Sequence, residues 1–410
     1  MRNDMRPQER LAGADFLRAT ACLLVLAHHL ALRLDMRRIP DELAPAAHIL
    51  RFGNFGVAIF FVLSGFLLAR PFWRALDAGS DMPSLASYAI RRAARIAPGF
   101  WVAATVGFMV SLTLLAVPLT PELAIRYVSG MLFMSQWHWR TFFPVEADGP
   151  LWSIPFEVTS YVLLPGCFFL LFRLPRLRHR RLLARSAWLC VIAVVLIAHL
   201  AILRFFALDD IGRGWAYGLQ GGAKEWMPNY NPIAFFALFA LGALAAGIDV
   251  MLPARRSFWF DAAALLALSI AGYRLAISPG GSAEAYGWLD IPYGFPVFPL
   301  AIATALVSLC HSHRLGRLLD NAPVRYVAKI SFGIYIWQEI ILTLIQKLDP
   351  GSFGASSDNV VIGWLQSCAL TAALVLLVAS LSYHLLERPA IEFGNRLTSR
   401  PPDRATPFKV

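Results

Sequence analysis

An arginine and a histidine eleven residues apart mark the first apolar stretch of the chain, in DFLRATACLLVLAHH. Wound as an α-helix, Arg18 and His29 close to within about 20° of three full turns and stand roughly 16 Å apart along the axis. One helix face then carries a cation near one membrane surface and an imidazole more than halfway across. That geometry suits a ligand with an anionic end and a reactive end, provided Arg18 and His29 open onto one tunnel. The plainer reading lets Arg18 snorkel to lipid headgroups and His29 hydrogen-bond a neighbouring helix. His28 lies about 100° round the helix and is expected to pack or hydrogen-bond without reacting.

Three further constellations carry polar chemistry. In RRAARIAP, Arg92 and Arg95 are i,i+3 neighbours on one face, and Pro98 suits a first helical turn. Two such guanidiniums can hold phosphate bidentately, and retention of basic residues on the cytoplasmic side explains them equally well. In LWSIPFEVTSYVLLP, Ser153, Glu157 and Tyr161 follow at i,i+4 intervals and form one polar stripe. A carboxylate at that depth needs an ion pair or water around it, so Glu157 marks either a functional site or a structural salt bridge. ISFGIYIWQEIILTL adds Tyr335, Gln338 and Glu339 near mid-membrane. His199, Asp249 and Asp261 fall nearer the ends of apolar stretches and are expected at interfaces.

The elements that must position these residues are membrane spans. Of 410 residues, 58% are hydrophobic and 15% charged, and mean hydropathy is +0.57. Soluble domains sit nearer a quarter charged, so a purely soluble class is excluded. Apolar periods place spans at 12–32, 54–72, 97–117, 150–172, 187–206, 232–250, 258–277, 292–310, 329–347 and 360–386. Residues 1–10 are polar and no small-residue cleavage site follows, so the first span is expected to be retained.

The 37 basic and 26 acidic residues give +11, and the arginines cluster at span ends. With the N-terminus inside, every basic cluster falls on the cytoplasmic face. Were 121–137 to cross as well, the run Arg173–Arg185 would fall outside. The expectation is therefore an all-α, polytopic bundle of ten full spans plus one re-entrant or interfacial helix, with both termini cytoplasmic. Residues 1–390 form one transmembrane domain, and 391–410 read as a basic, disordered cytoplasmic tail. The glycine- and aromatic-rich stretch 208–231 is either an ordinary connector or a sugar-facing lid. The five cysteines never take a CxxC spacing, so neither a disulfide framework nor a metal site is expected. Nucleic-acid motifs are lacking too, and the positive charge is assigned to topology and anionic headgroups.

Taken together these segments resemble the acyltransferase type 3 family of integral membrane O-acyltransferases. The likeness runs through DFLRATACLLVLAHH, FGVAIFFVLSGFLL, RRAARIAP, LWSIPFEVTSYVLLP, SFGIYIWQ and YHLLERPAIEFGNRL, six blocks in family order from residue 15 to 396. Two departures stand out. Ala58 occupies a position that is usually acidic, and Trp337–Gln338 replaces a usual Trp-His, with Glu339 as the available substitute.

The resemblance implies acyl transfer from a cytoplasmic acyl-CoA, acetyl-CoA being the usual donor, to a hydroxyl of a carbohydrate, glycolipid or small molecule. It implies His29 as general base and Glu157 as its orienting or acceptor-binding partner. Arg18, Arg92 and Arg95 become the donor's phosphate ligands, and Trp152, Ser153, Tyr161, Tyr335, Gln338 and Glu339 the acceptor side. The expected setting is the bacterial cytoplasmic membrane, with the modified product in the cell envelope. The alternative class is a transporter of a lipid-linked sugar or small solute, with the same residues as a proton or substrate path. The lack of inverted-repeat symmetry weighs against that class. A catalytically inert relative that only binds acyl-CoA is the third reading.

Overall fold

Ser84, Asn231, Asn321 and Asn359 each stand immediately before a helix, and each side chain accepts a hydrogen bond from a backbone N–H of the helix it opens. The computed structural model describes residues 11–204, 226–253, 255–278 and 286–399. In chain order the helices are α1 (Ala14–Ala31), α2 (Ala44–Arg51), α3 (Gly56–Asp77), α4 (Leu85–Thr113), α5 (Pro121–Met131), α6 (Ser153–Phe172) and α7 (Arg181–Ile202). There follow α8 (Pro232–Met251), α9 (Phe258–Ala276), α10 (Val297–Cys310), α11 (Leu315–Leu319), α12 (Ala322–Leu348), α13 (Val360–Ser382) and α14 (Arg388–Thr398). No strand occurs among the described residues. The chain is a multi-pass, all-helical membrane protein.

Nine segments of the described residues are long and apolar enough to cross a bilayer. The tenth expected crossing, 292–310, is helical only over the 14 residues of α10. That length covers about 21 Å of a hydrocarbon core of roughly 30 Å. Tyr293 and Gly294 hold positive φ angles of 61° and 59°, which keep the preceding segment out of the helix. Segment 121–137 matches its expectation better. Helix α5 has 11 residues, far short of a span. Its buried Arg126 pairs with Glu146 and donates to the Phe143 carbonyl at 2.8 Å, so the helix is tied to the loop beyond it.

Two boundaries need correction. The apolar period puts the third span at 97–117, but α4 starts at Leu85, because the Ser84 cap lets the helix begin well before the apolar run. Arg92 and Arg95 therefore lie in the body of the helix, and Pro98 is an interior proline. At the far end, 391–398 is not disordered, since α14 packs against α4 with Gly394 seated over Ala94. Residues 400–410, and 208–225 of the connector weighed as a lid, lie outside the described residues.

Helix α8 is apolar on every side and buried almost throughout, so it stands at the centre. The lipid-facing positions are on α7, α9 and α13, where Val194, Ile197, Leu266, Leu365 and Leu377 are exposed. Because lipid tails are as apolar as leucine, helices associate here through close approach of small residues. Helices α3 and α8 do this reciprocally. A Cβ on Gly65 would lie 2.0 Å from the Phe239 carbonyl oxygen, and one on Gly242 would lie 1.9 Å from that of Val62. Gly65→Ala must push the two backbones apart, and a loss of about 1–3 kcal/mol is expected by the usual cost of overpacking. Thermal unfolding in detergent reads this as a lower midpoint. An unchanged midpoint would contradict the tight crossing.

Candidate active site

A cavity opens among α1, α3, α4, α6 and α12. Its wall brings together Arg18 of α1, Ser64 of α3, Arg92 and Arg95 of α4, Ser153, Glu157 and Tyr161 of α6, and Tyr335 of α12. Residues predicted from four separate sequence blocks thus meet in one place. Arg18 is 3.7 Å from Asp15 on its own helix. Neither Arg92 nor Arg95 has a carboxylate at ion-pair distance among the described residues, and both are half-buried. Three guanidiniums against Glu157 leave the cavity net positive, which is the electrostatics of an anion site.

Glu157 is fixed in the wall. The Ser64 hydroxyl donates to its Oε1 at 2.7 Å and the Tyr161 hydroxyl donates to the same oxygen at 2.6 Å. Tyr161 is the i+4 partner foreseen from the stripe. At the other end of the cavity, Tyr335 donates to the Pro150 carbonyl at 3.1 Å and meets the Ser153 hydroxyl at 2.6 Å. Trp152 does not line the cavity. It stacks on Phe142 with ring centroids 5.2 Å apart, in an aromatic cluster with Tyr230 and Phe235. Gln338 is fully buried, and its amide nitrogen donates to the Tyr335 carbonyl at 3.3 Å.

His29 is not part of this lining. The expectation of one tunnel open to both Arg18 and His29 is corrected in that respect: the cavity stops at Ser153 and Tyr335. Glu339 stands four residues beyond Tyr335 on α12, a rise of roughly 6 Å. His29 Nδ1 lies 3.3 Å from Glu339 Oε2. Arg33 completes the group, its guanidinium donating to Glu339 Oε1 at 2.6 Å and to the His29 carbonyl at 3.0 Å. The carboxylate beside the histidine is therefore Glu339, not Glu157, whose two hydroxyl donors hold it elsewhere. A ring protonated at Nδ1, the nitrogen facing the carboxylate, would leave Nε2 to accept a proton. His28 packs as expected, with its Nδ1 against the Arg51 carbonyl.

Sequence reasoning missed Arg33, Ser64 and Asp148. Arg33 carries a readable signal, since it lies at i+4 from His29. Ser64 and Asp148 carry none, because their roles depend on which helices meet. Asp148, just before α6, is wholly buried, and neither carboxyl oxygen has a hydrogen-bond partner among the described residues. Burial, and secondly the charge of Glu339, push its carboxyl well above the usual carboxylate range. The folded state thus holds this proton more tightly than the unfolded chain does. Its contribution to stability is present below the ordinary carboxylate pKa and is lost as pH rises through the raised folded value. Asp148→Asn, which keeps the shape and drops the titration, is expected to match or exceed wild-type thermal stability at about pH 8. The advantage should shrink as pH falls toward about 5. A variant less stable at the higher pH would show that the carboxylate itself is needed.

The described helices form a multi-pass bundle with a positively charged cavity and a histidine–carboxylate pair beyond it, an arrangement that could hold an anionic ligand. The chain belongs to the acyltransferase type 3 family: the family's acyltransferase domain matches residues 11–383. Among its relatives, the putative peptidoglycan O-acetyltransferase YrhL of Bacillus subtilis is 25% identical over 95% of this chain, which spans 56% of that protein's length. Nodulation protein 10 of Rhizobium leguminosarum bv. viciae is 24% identical over 84% of each chain. Acyltransferase MdmB of Streptomyces mycarofaciens is 23% identical over 97% of this chain and 96% of its own. Family membership favours the acyltransferase reading over the transporter.

Proposed function

We propose that the protein transfers an acyl group, acetyl by preference, from acyl-CoA to a hydroxyl of a carbohydrate or glycoconjugate, with His29 as general base. The observation that carries this reading is a cavity lined by three guanidiniums that ends at Ser153 and Tyr335, with a histidine–carboxylate pair of α1 and α12 about one helical turn beyond Tyr335. Arg18, Arg92 and Arg95 would bind the phosphates of CoA at the cytoplasmic surface. The pantetheine arm would run past Ser64 and Glu157 toward Tyr335. To bring the thioester carbonyl to His29, the acyl end must pass the Ser153–Tyr335 hydrogen bond, so that pair sits at the junction of the donor and acceptor halves.

In the chemical step, the acceptor oxygen attacks the thioester carbon while its proton passes to His29 Nε2. The C–O bond forms, the C–S bond breaks, and the CoA thiolate recovers the proton from His29. Glu339 stabilises the imidazolium through Nδ1, and Arg33 holds Glu339 in place. The sugar acceptor is supported by the peptidoglycan O-acetyltransferase name of the Bacillus relative.

Purified protein supplied with acetyl-CoA labelled in the acetyl group should move label to a hydroxyl acceptor, or release it slowly to water when no acceptor is present. Label that stays on CoA under both conditions, and with longer acyl donors, would count against the reading.

A further inference from the structure

A second basic cavity, sharing no residue with the first, lies where the ends of α3, α8 and α10 meet. Four arginines line it, Arg70 and Arg74 from α3 and Arg255 and Arg256 from the segment after α8, together with His311 beyond α10. Among the described residues, the one carboxylate in that wall is Asp249.

Asp249 is buried and already committed. Arg70 Nη2 lies 3.1 Å from one of its oxygens and His311 Nε2 lies 3.2 Å from the other. One carboxylate is thus shared between an arginine and a histidine, and neither Arg255 nor Arg256 has a carboxylate at ion-pair distance among the described residues. Arg70 is itself largely buried, and its second terminal nitrogen, Nη1, has no hydrogen-bond partner among the described residues. A buried guanidinium N–H without an acceptor is costly, and an anion in the cavity would supply that acceptor. The remaining wall includes apolar Leu11, Val250 and Leu252.

Topology alone explains arginines at a helix end, but it explains neither their convergence on one concavity nor the orphan N–H. We infer that this cavity binds a phosphate-bearing anion, with Arg70 as its buried ligand and Arg255 and Arg256 as its exposed clamp. An anionic phospholipid headgroup and a free organic phosphate share this chemistry. The apolar flank beside the arginines is where an acyl chain would lie. The inference does not depend on the donor assignment, since it concerns different residues.

The test is native mass spectrometry of the full chain in detergent, titrated in one arm with phosphatidylglycerol or phosphatidylcholine and in the other with inorganic pyrophosphate. Anionic lipid, or pyrophosphate, is expected to bind in preference to phosphatidylcholine. The double variant Arg255→Ala/Arg256→Ala changes two exposed side chains and should leave the fold intact. It is expected to bind about tenfold or more weakly, by the surface contribution of each arginine. Arg70→Lys, which keeps the charge and loses the fork, should weaken binding as well. Retention by lipid alone identifies a headgroup site, and displacement by pyrophosphate identifies a soluble phosphate site. Equal retention of both lipids with no pyrophosphate binding, or undiminished affinity in the double variant, would overturn the inference.

Discussion

His29→Ala is expected to lower the turnover of acyl transfer by about a hundredfold or more, which is the usual contribution of a general base. The protein should remain folded and should still bind donor, because His29 lies outside the cavity lined by the three arginines. A loss of kcat with little change in donor KM is therefore the signature. Glu339→Gln should show a smaller fall, about tenfold, with a shifted pH–rate profile, because Glu339 acts through the imidazole. Near-normal turnover in His29→Ala would remove the base from the proposal. It would also leave the histidine–carboxylate–arginine group as a structural ion pair.

The opposite kinetic signature is expected from the basic end. Arg92→Ala and Arg95→Ala should each weaken donor binding by about ten- to a hundredfold, from the loss of charge-assisted hydrogen bonds worth roughly 1.5–3 kcal/mol each. The loss should appear mostly in the KM for acyl-CoA, as ground state and transition state hold the phosphates alike. The effect should also weaken at high ionic strength, because both arginines are only half-buried. Unchanged donor affinity in the double variant would move the phosphate site elsewhere, the second basic cavity being the first place to look.

The sequence reading reached different depths in different elements. Spans were legible because apolar length is a one-dimensional property, and the basic clusters kept α5 from being counted among them. The ends were less so. Ser84 starts α4 twelve residues early through a single cap, and positive φ angles at Tyr293 and Gly294 shorten α10. Within one helix, spacing sufficed: Arg18 with His29, and Glu157 with Tyr161, share faces as the helical period requires. Between helices it did not. Which carboxylate stands by His29 depends on the packing of α1 against α12, and Glu157 and Glu339 were indistinguishable as charges in apolar runs until that contact was known. Asp148 is the extreme case, a carboxyl in a short loop whose burial comes wholly from its neighbours.

The central claim is that one ligand joins the arginine end of the cavity to the histidine beyond it. A non-hydrolysable CoA thioether carrying a photoreactive group at its acyl end tests this directly, with the attachment sites mapped by peptide mass spectrometry. The label should fall on α1 around His29 or on α12 between Tyr335 and Leu342, and excess acetyl-CoA should abolish it. Label on the lipid-facing residues of α7, α9 or α13, or label at His29 that persists in Arg92→Ala/Arg95→Ala, would contradict the account.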